Sequence, residues 1–251
     1  MIIQIHPGID ERELEQLKRV VDSNFVTEAG LTAEFEEMTR TLTGSTHAHA
    51  VTNGTTALFC CLKALNIGPG DEVIVPNITF IASANAVIMA GAKPVFCEVD
   101  ENTFCLDVHR ATSLVTDKTR AVIPVHLYGQ AADMDLILPF AATHGLAVIE
   151  DAAQGVGVRF NDRHTGTIGD MGILSYYGNK TITSGEGGMV LTDNPDLAQS
   201  VFRLKNHGRD TKGTFIHEHI GFNFSFTDIQ AAIGIAQMHK LPAIIARKKA
   251  I

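Results

Sequence analysis

From residue 47 onward, short runs rich in Val, Ile and Leu alternate with stretches of helical periodicity, and no other property of the chain restricts its fold as much. His47–Val51, Glu72–Val75, Pro94–Glu98, Ala121–Val125, Ala147–Glu150, Gly172–Tyr176 and Gly188–Thr192 are expected to be strands. Many of these runs are continuously apolar, as strands covered on both faces must be. Thr55–Leu65 reads as an intervening helix with Leu58, Cys61, Leu62 and Leu65 along one side, stopped by Asn-Ile-Gly-Pro-Gly. The alternation predicts an α/β fold, a mainly parallel sheet flanked by helices. Ligands of such sheets collect at the carboxyl ends of the strands.

Two helical segments, about Glu11–Ser23 and Leu31–Leu42, precede this core, and Thr227-Asp-Ile-Gln230 reads as a capping box opening a helix that carries Ile229, Ile233 and Ile235. With 251 residues, 45% of them hydrophobic, the chain can bury a sizeable core. Cys60, Cys61, Cys97 and Cys105 lie in apolar stretches without CxxC spacing, so they are expected to be buried thiols. The net charge of −8 carries no basic cluster, which argues against a nucleic-acid partner. No apolar run reaches the roughly 20 residues that cross a bilayer, and no signal peptide is visible, so no membrane partner is expected and the expected location is the cytoplasm. The 11 histidines form no ligand set with spacing suited to a metal. Walker, GxGxxG and GxSxG signatures are absent.

Four stretches sit at or just beyond expected strand ends. In Thr52-Asn-Gly-Thr-Thr-Ala57, Gly54 lets a backbone approach a ligand, and Thr55 and Thr56 add hydroxyls beside the free N–H groups of a helix start. The stretch can be a phosphate cradle or an ordinary helix cap. In Val148-Ile-Glu-Asp-Ala-Ala-Gln154, the Asp151 carboxylate can hold a protonated ring nitrogen of a bound heterocycle, or cap the next helix; Gln154 can reach a neighbouring substituent. Lys180 lies in a Gly- and Thr-rich turn between two apolar strands, either as a solvated charge or as a confined amine able to act as a nucleophile. Ser175, five residues earlier, can add a hydroxyl to an anion site or be an ordinary strand serine. In Gly221-Phe-Asn-Phe-Ser-Phe-Thr227, the phenylalanines suggest packing, whereas Asn223 between two of them is harder to explain that way.

Taken together, SYYGNKTITSGEGGMVLTD, NGTTAL, GPGDEVIVPNITFIASANAV, PVHLYGQAADMD, EDAAQGVG and GFNFSFTDIQAAIG stand in one order that resembles the DegT/StrS-type sugar aminotransferases, a family of fold-type I pyridoxal-phosphate enzymes. The resemblance runs from about Phe25 to Ile251. It implies the large cofactor-binding domain of that fold type over residues 25–240, an N-terminal segment over 1–24, and over 241–251 the start of a small C-terminal domain that is mostly missing.

By position, the resemblance implies that Lys180 joins pyridoxal 5'-phosphate covalently and moves the proton in catalysis, while Asp151 pairs with the ring nitrogen. Gln154 then lies near the ring's phenolic oxygen, and Gly54, Thr55 and Ser175 hold the phosphate. Phe80 takes the place of the aromatic that stacks on the ring, where many relatives have a larger one. Asn223 matches a residue given to the phosphate of a neighbouring subunit, which implies a homodimer. The implied reaction carries an amino group from glutamate to a nucleotide-linked keto sugar in two half-reactions. The wording GNKTIT-GEGGM is most similar to the perosamine-synthase branch, acting on 4-keto-6-deoxyhexoses. Relatives that replace the lysine with histidine are dehydratases, so Lys180 argues against that activity. A non-catalytic cofactor-binding fragment is the remaining alternative.

Overall fold

The computed structural model describes residues 7–251; the first six residues of the N-terminal segment lie outside it. Helices α1 (Glu11–Ser23) and α2 (Gly30–Thr43) lead into β1 (His47–Val51) and α3 (Gly54–Ala64). There follow β2 (Glu72–Pro76), α4 (Ala82–Met89), β3 (Lys93–Cys97), α5 (Val108–Thr112), β4 (Thr119–Val122), α6 (Met134–His144) and β5 (Ala147–Asp151). A two-residue pair, β6 (Arg159–Phe160) and β7 (Arg163–His164), precedes β8 (Met171–Ser175), β9 (Gly188–Thr192), α7 (Pro195–Lys205) and α8 (Asp228–Lys249).

Seven strands form one sheet in the order β1-β9-β8-β5-β4-β2-β3. All pairings from β8 to β3 are parallel, whereas β9 runs antiparallel to both β8 and β1. The mainly parallel sheet expected from the alternation is therefore present, with one reversed strand inside it. Successive residues of a strand point to opposite faces, and here both faces are dry. Val73, Val75, Ile123, Ile149 and Ile173 pack under α3 and α4, while Ile74, Val122 and Val148 join Met134 and Ile137 of α6. On the flank near β9, Leu174 and Met189 meet Phe35 of α2 and Ile235 of α8.

Each of the seven expected strands is present, with ends shifted by up to three residues; the shift is largest at β4, which ends at Val122 and not at Val125. Beyond it the chain stays extended, and Val125 makes an isolated parallel bridge to Asp151. The capping box at Thr227 forms as expected. Ile235 of that helix is buried but Ile229 is 43% exposed. Asp228, next to the cap, accepts the N–H groups of Ala29, Leu31 and Thr32, so one carboxylate secures the start of α2 against the start of α8. All four cysteines are buried free thiols. Among the described residues no helix is long and apolar enough to cross a membrane.

Candidate active site at the carboxyl edge of the sheet

Because β9 is reversed, its first residue, Gly188, lies beside the last residues of two strands, Val51 of β1 and Ser175 of β8. Helix α3 begins three residues after Val51, so its N-terminus opens at that same edge. Asn53 caps it, its side chain accepting the Thr56 N–H at 2.9 Å. The cap leaves the N–H groups of Gly54 and Thr55 with no acceptor among the described residues. Cβ on Gly54 would stand 3.2 Å from Ser175 Cβ and 3.5 Å from its Oγ, so that hydroxyl adjoins the two free donors. Gly188 is tighter: a Cβ there would come within 2.4 Å of the Asn53 carbonyl oxygen. The missing side chains let three backbone segments converge, and two N–H groups with an adjacent hydroxyl are suited to an anion such as phosphate. The cap and cradle readings of this stretch are compatible, because the cap engages a different N–H.

Asp151 ends β5 at the same edge and is 5% exposed. Its Oδ1 accepts the Ala153 N–H at 3.1 Å, a local turn contact, and its Oδ2 accepts the Ser83 hydroxyl at 2.7 Å. Lys180 lies on the excursion between β8 and β9, which is closed on itself by Tyr176 N–H to the Gly187 carbonyl at 2.9 Å and Lys180 N–H to the Tyr177 carbonyl at 3.0 Å. The half-buried amine is no solvated surface charge. Burial lowers its pKa below the ordinary 10.5, and the nearby negative charge of Asp151 opposes the shift in part.

Gln154 follows the same strand end and accepts the Tyr128 N–H through Oε1 at 2.7 Å. That bond fixes which end of the amide is which and leaves its NH₂ as the donor free for a ligand. Tyr128 is 86% exposed with φ of 55°, a left-handed conformation uncommon outside glycine. Phe80, on the turn before α4, is 69% exposed. Asn223 is exposed and accepts the Ser225 N–H at 3.4 Å; Ser225 bridges Val51, so this segment runs past the end of β1. Its neighbours pack as expected, with Phe224 edge-on to Phe59 of α3 and Phe226 buried. His126, in the PVHLYG stretch, is fully buried: its Nδ1 accepts the Ala132 N–H at 3.1 Å, so Nε2 carries the proton to Glu150 at 2.9 Å. It braces the loop from beneath.

Sequence reasoning missed Ser83, whose hydroxyl meets Asp151 across 68 positions. Nothing in the local pattern FIASANAV marks it, because a serine at a helix start is ordinarily a capping or solvent-facing residue.

A profile of the DegT/DnrJ/EryC1/StrS aminotransferase family matches residues 7–251. The chain is 44% identical over 246 residues to a GDP-perosamine synthase of Caulobacter vibrioides, covering 98% of this chain and 66% of that protein. Among solved structures, an aminotransferase from Psychrobacter cryohalolentis superposes with a TM-score of 0.91 at 37% identity, covering 95% of this chain and 64% of that one. DesI, solved in the presence of its TDP-sugar product, also gives a TM-score of 0.91 at 34% identity, covering 100% of this chain and 63% of that one. The chain spans about two thirds of the length of the relatives it matches.

Proposed function

The chain belongs to the DegT/DnrJ/EryC1/StrS aminotransferase family, whose enzymes depend on pyridoxal phosphate, and on that premise we propose that it is the cofactor-binding part of an enzyme carrying an amino group from glutamate to a nucleotide-linked 4-keto-6-deoxyhexose. The observation that carries this reading is that a half-buried amine within the field of a buried carboxylate shares one sheet edge with an unfilled N–H cradle. The sugar class rests on the likeness to a GDP-perosamine synthase and to DesI with its TDP-sugar product.

The residues present suit the cofactor. Gly54 and Thr55 would give their N–H groups and Ser175 its hydroxyl to the phosphate, Asp151 would pair with a protonated ring nitrogen, and the amide NH₂ of Gln154 would serve the phenolic oxygen. Phe80 lies open for contact with the ring, and Asn223 is exposed to be shared with a second subunit in a homodimer. Pyridoxal phosphate, when bound, supplies an aldehyde that takes up amines and a ring that draws electrons from the carbon being deprotonated. Lys180 would be the residue that joins the cofactor's aldehyde and, as a free amine, the base that takes the proton from the donor carbon. Its lowered pKa keeps more of the amine unprotonated near neutrality than an exposed lysine would allow. Asp151, being buried, would hold a proton on the ring nitrogen with little screening by water. Glutamate serves the first half-reaction and the keto sugar the second.

The test is the visible spectrum of the protein mixed with pyridoxal phosphate, followed by borohydride reduction and peptide mass analysis. We expect a visible band that Lys180→Ala abolishes and the cofactor's mass on the Lys180 peptide. A band that survives Lys180→Ala, or mass on another lysine, refutes the assignment. Glutamate-dependent bleaching of the band separates an aminotransferase from a dehydratase, which has no need of glutamate.

A further inference from the structure

Asp151 is held by more than its own strand. The turn between β2 and α4 brings Ser83, fully buried, against its Oδ2 at 2.7 Å. Behind Ser83, the Thr79 hydroxyl stands 3.0 Å from Ser83 Oγ. A serine has one hydroxyl proton. Its two acceptors are the Asp151 carboxylate at 2.7 Å and the Phe80 carbonyl at 3.4 Å, so the proton goes to the far shorter, charged partner and Thr79 is the donor to Ser83. The three side chains form a directed chain, Thr79 to Ser83 to Asp151, in which each bond polarises the next. With Ala153 N–H on Oδ1, both carboxylate oxygens are tethered and the plane of the group is fixed. The same turn carries Phe80, so one short segment sets both the aromatic beside the site and the anchor of its carboxylate.

We propose that Ser83, backed by Thr79, is a positioning residue that orients Asp151 and holds it as an anion opposite the cofactor's ring nitrogen; this rests on the cofactor reading given above. A hydrogen bond donated to a carboxylate favours its charged form. Around the buried Asp151 carboxyl, the alternative to an ion pair with the ring is a neutral pair in which the proton has crossed to the acid. Ser83 opposes that crossing and so preserves the positive charge on the ring. Its hydroxyl proton is spent on Asp151, so its influence passes through that carboxylate.

The readout is the ¹⁵N NMR signal of ring-labelled pyridoxal phosphate bound to the full chain, because this signal reports directly whether the nitrogen is protonated. We expect Asp151→Asn to move it to the unprotonated position, Ser83→Ala to move it part of the way, and Thr79→Ala to move it less in the same direction. The glutamate half-reaction of Ser83→Ala should slow about tenfold, the scale of one hydrogen bond to a charged group, and Ser83→Thr should recover part of the nitrogen shift. A purely structural role for Ser83 would lower the melting temperature and leave the nitrogen signal alone, and that result overturns the proposal. A signal unmoved by Asp151→Asn overturns the placement of the cofactor itself, and the relay with it. A signal moved by Asp151→Asn but by neither Ser83→Ala nor Thr79→Ala overturns the relay alone.

Discussion

At the scale of single residues, Lys180 carries two opposing influences, and their signs predict its behaviour. Burial lowers its pKa and Asp151 raises it, with burial the larger. In cofactor-free protein, labelling of the Lys180 peptide by an amine-directed reagent should therefore reach its midpoint below the 10.5 of an ordinary lysine. Asp151→Asn removes the opposing charge, so the midpoint should move lower still; mass spectrometry across a pH series reads both. A midpoint that rises in Asp151→Asn would show that the two groups do not face each other. Much of this was legible beforehand: a lysine among glycines and threonines between two apolar runs, and an acid at the end of a third. Ser83 was not, because hydrogen bonds between residues 68 positions apart leave no trace in spacing. The left-handed turn at Tyr128 was equally hidden, since tertiary contacts set that conformation and a tyrosine gives no local signal for it.

At the scale of elements, the junction of β1, β9 and α3 depends on the absence of a side chain at Gly188. A Cβ there would meet the Asn53 carbonyl oxygen at 2.4 Å and the Gly54 nitrogen at 2.9 Å. Neither is the end of a flexible side chain that could swing away. Gly188→Ala should thus push the start of α3 off the sheet, costing about 1–3 kcal/mol in urea unfolding, and should weaken pyridoxal-phosphate affinity as well. Loss of stability with affinity unchanged would separate this junction from the phosphate cradle. The strands could be read because Val73 to Val75, or Ile173 with Leu174, need apolar neighbours on both faces. The direction of β9 could not, since an apolar run reads alike forwards and backwards and only its partners decide. Two-residue strands such as β6 and β7 are too short for any periodicity.

At the scale of the whole molecule, the first and last helices are joined by a buried ion pair. Lys240 of α8 reaches Glu13 of α1 at 2.6 Å, and Gln237 adds a bond of 2.8 Å to the same carboxylate. Burial pushes the Glu13 carboxyl upward, but the bonds from Lys240, the Asp10 amide and Gln237 outweigh it and hold the pKa below its usual 4.5. The folded form thus binds its proton less readily than the unfolded one. The resulting stabilisation is present above the unfolded pKa and is lost as pH falls through the folded one. Lys240→Met, which strands the acid, should cost about 3–5 kcal/mol, and adding Glu13→Gln should restore part of it and blunt the loss of stability in acid. Additive effects of the two substitutions would deny the coupling.

The reversal of β9 bears on how Lys180 is mounted. Since β8 leaves and β9 enters at one rim, the segment from Tyr176 to Gly187 is a handle with both feet on adjoining strands. Tyr176, Ile182, Thr183 and Ser184 of that handle are buried, so between its feet it is pinned to the core, and the mount of Lys180 is as firm as the sheet it rises from.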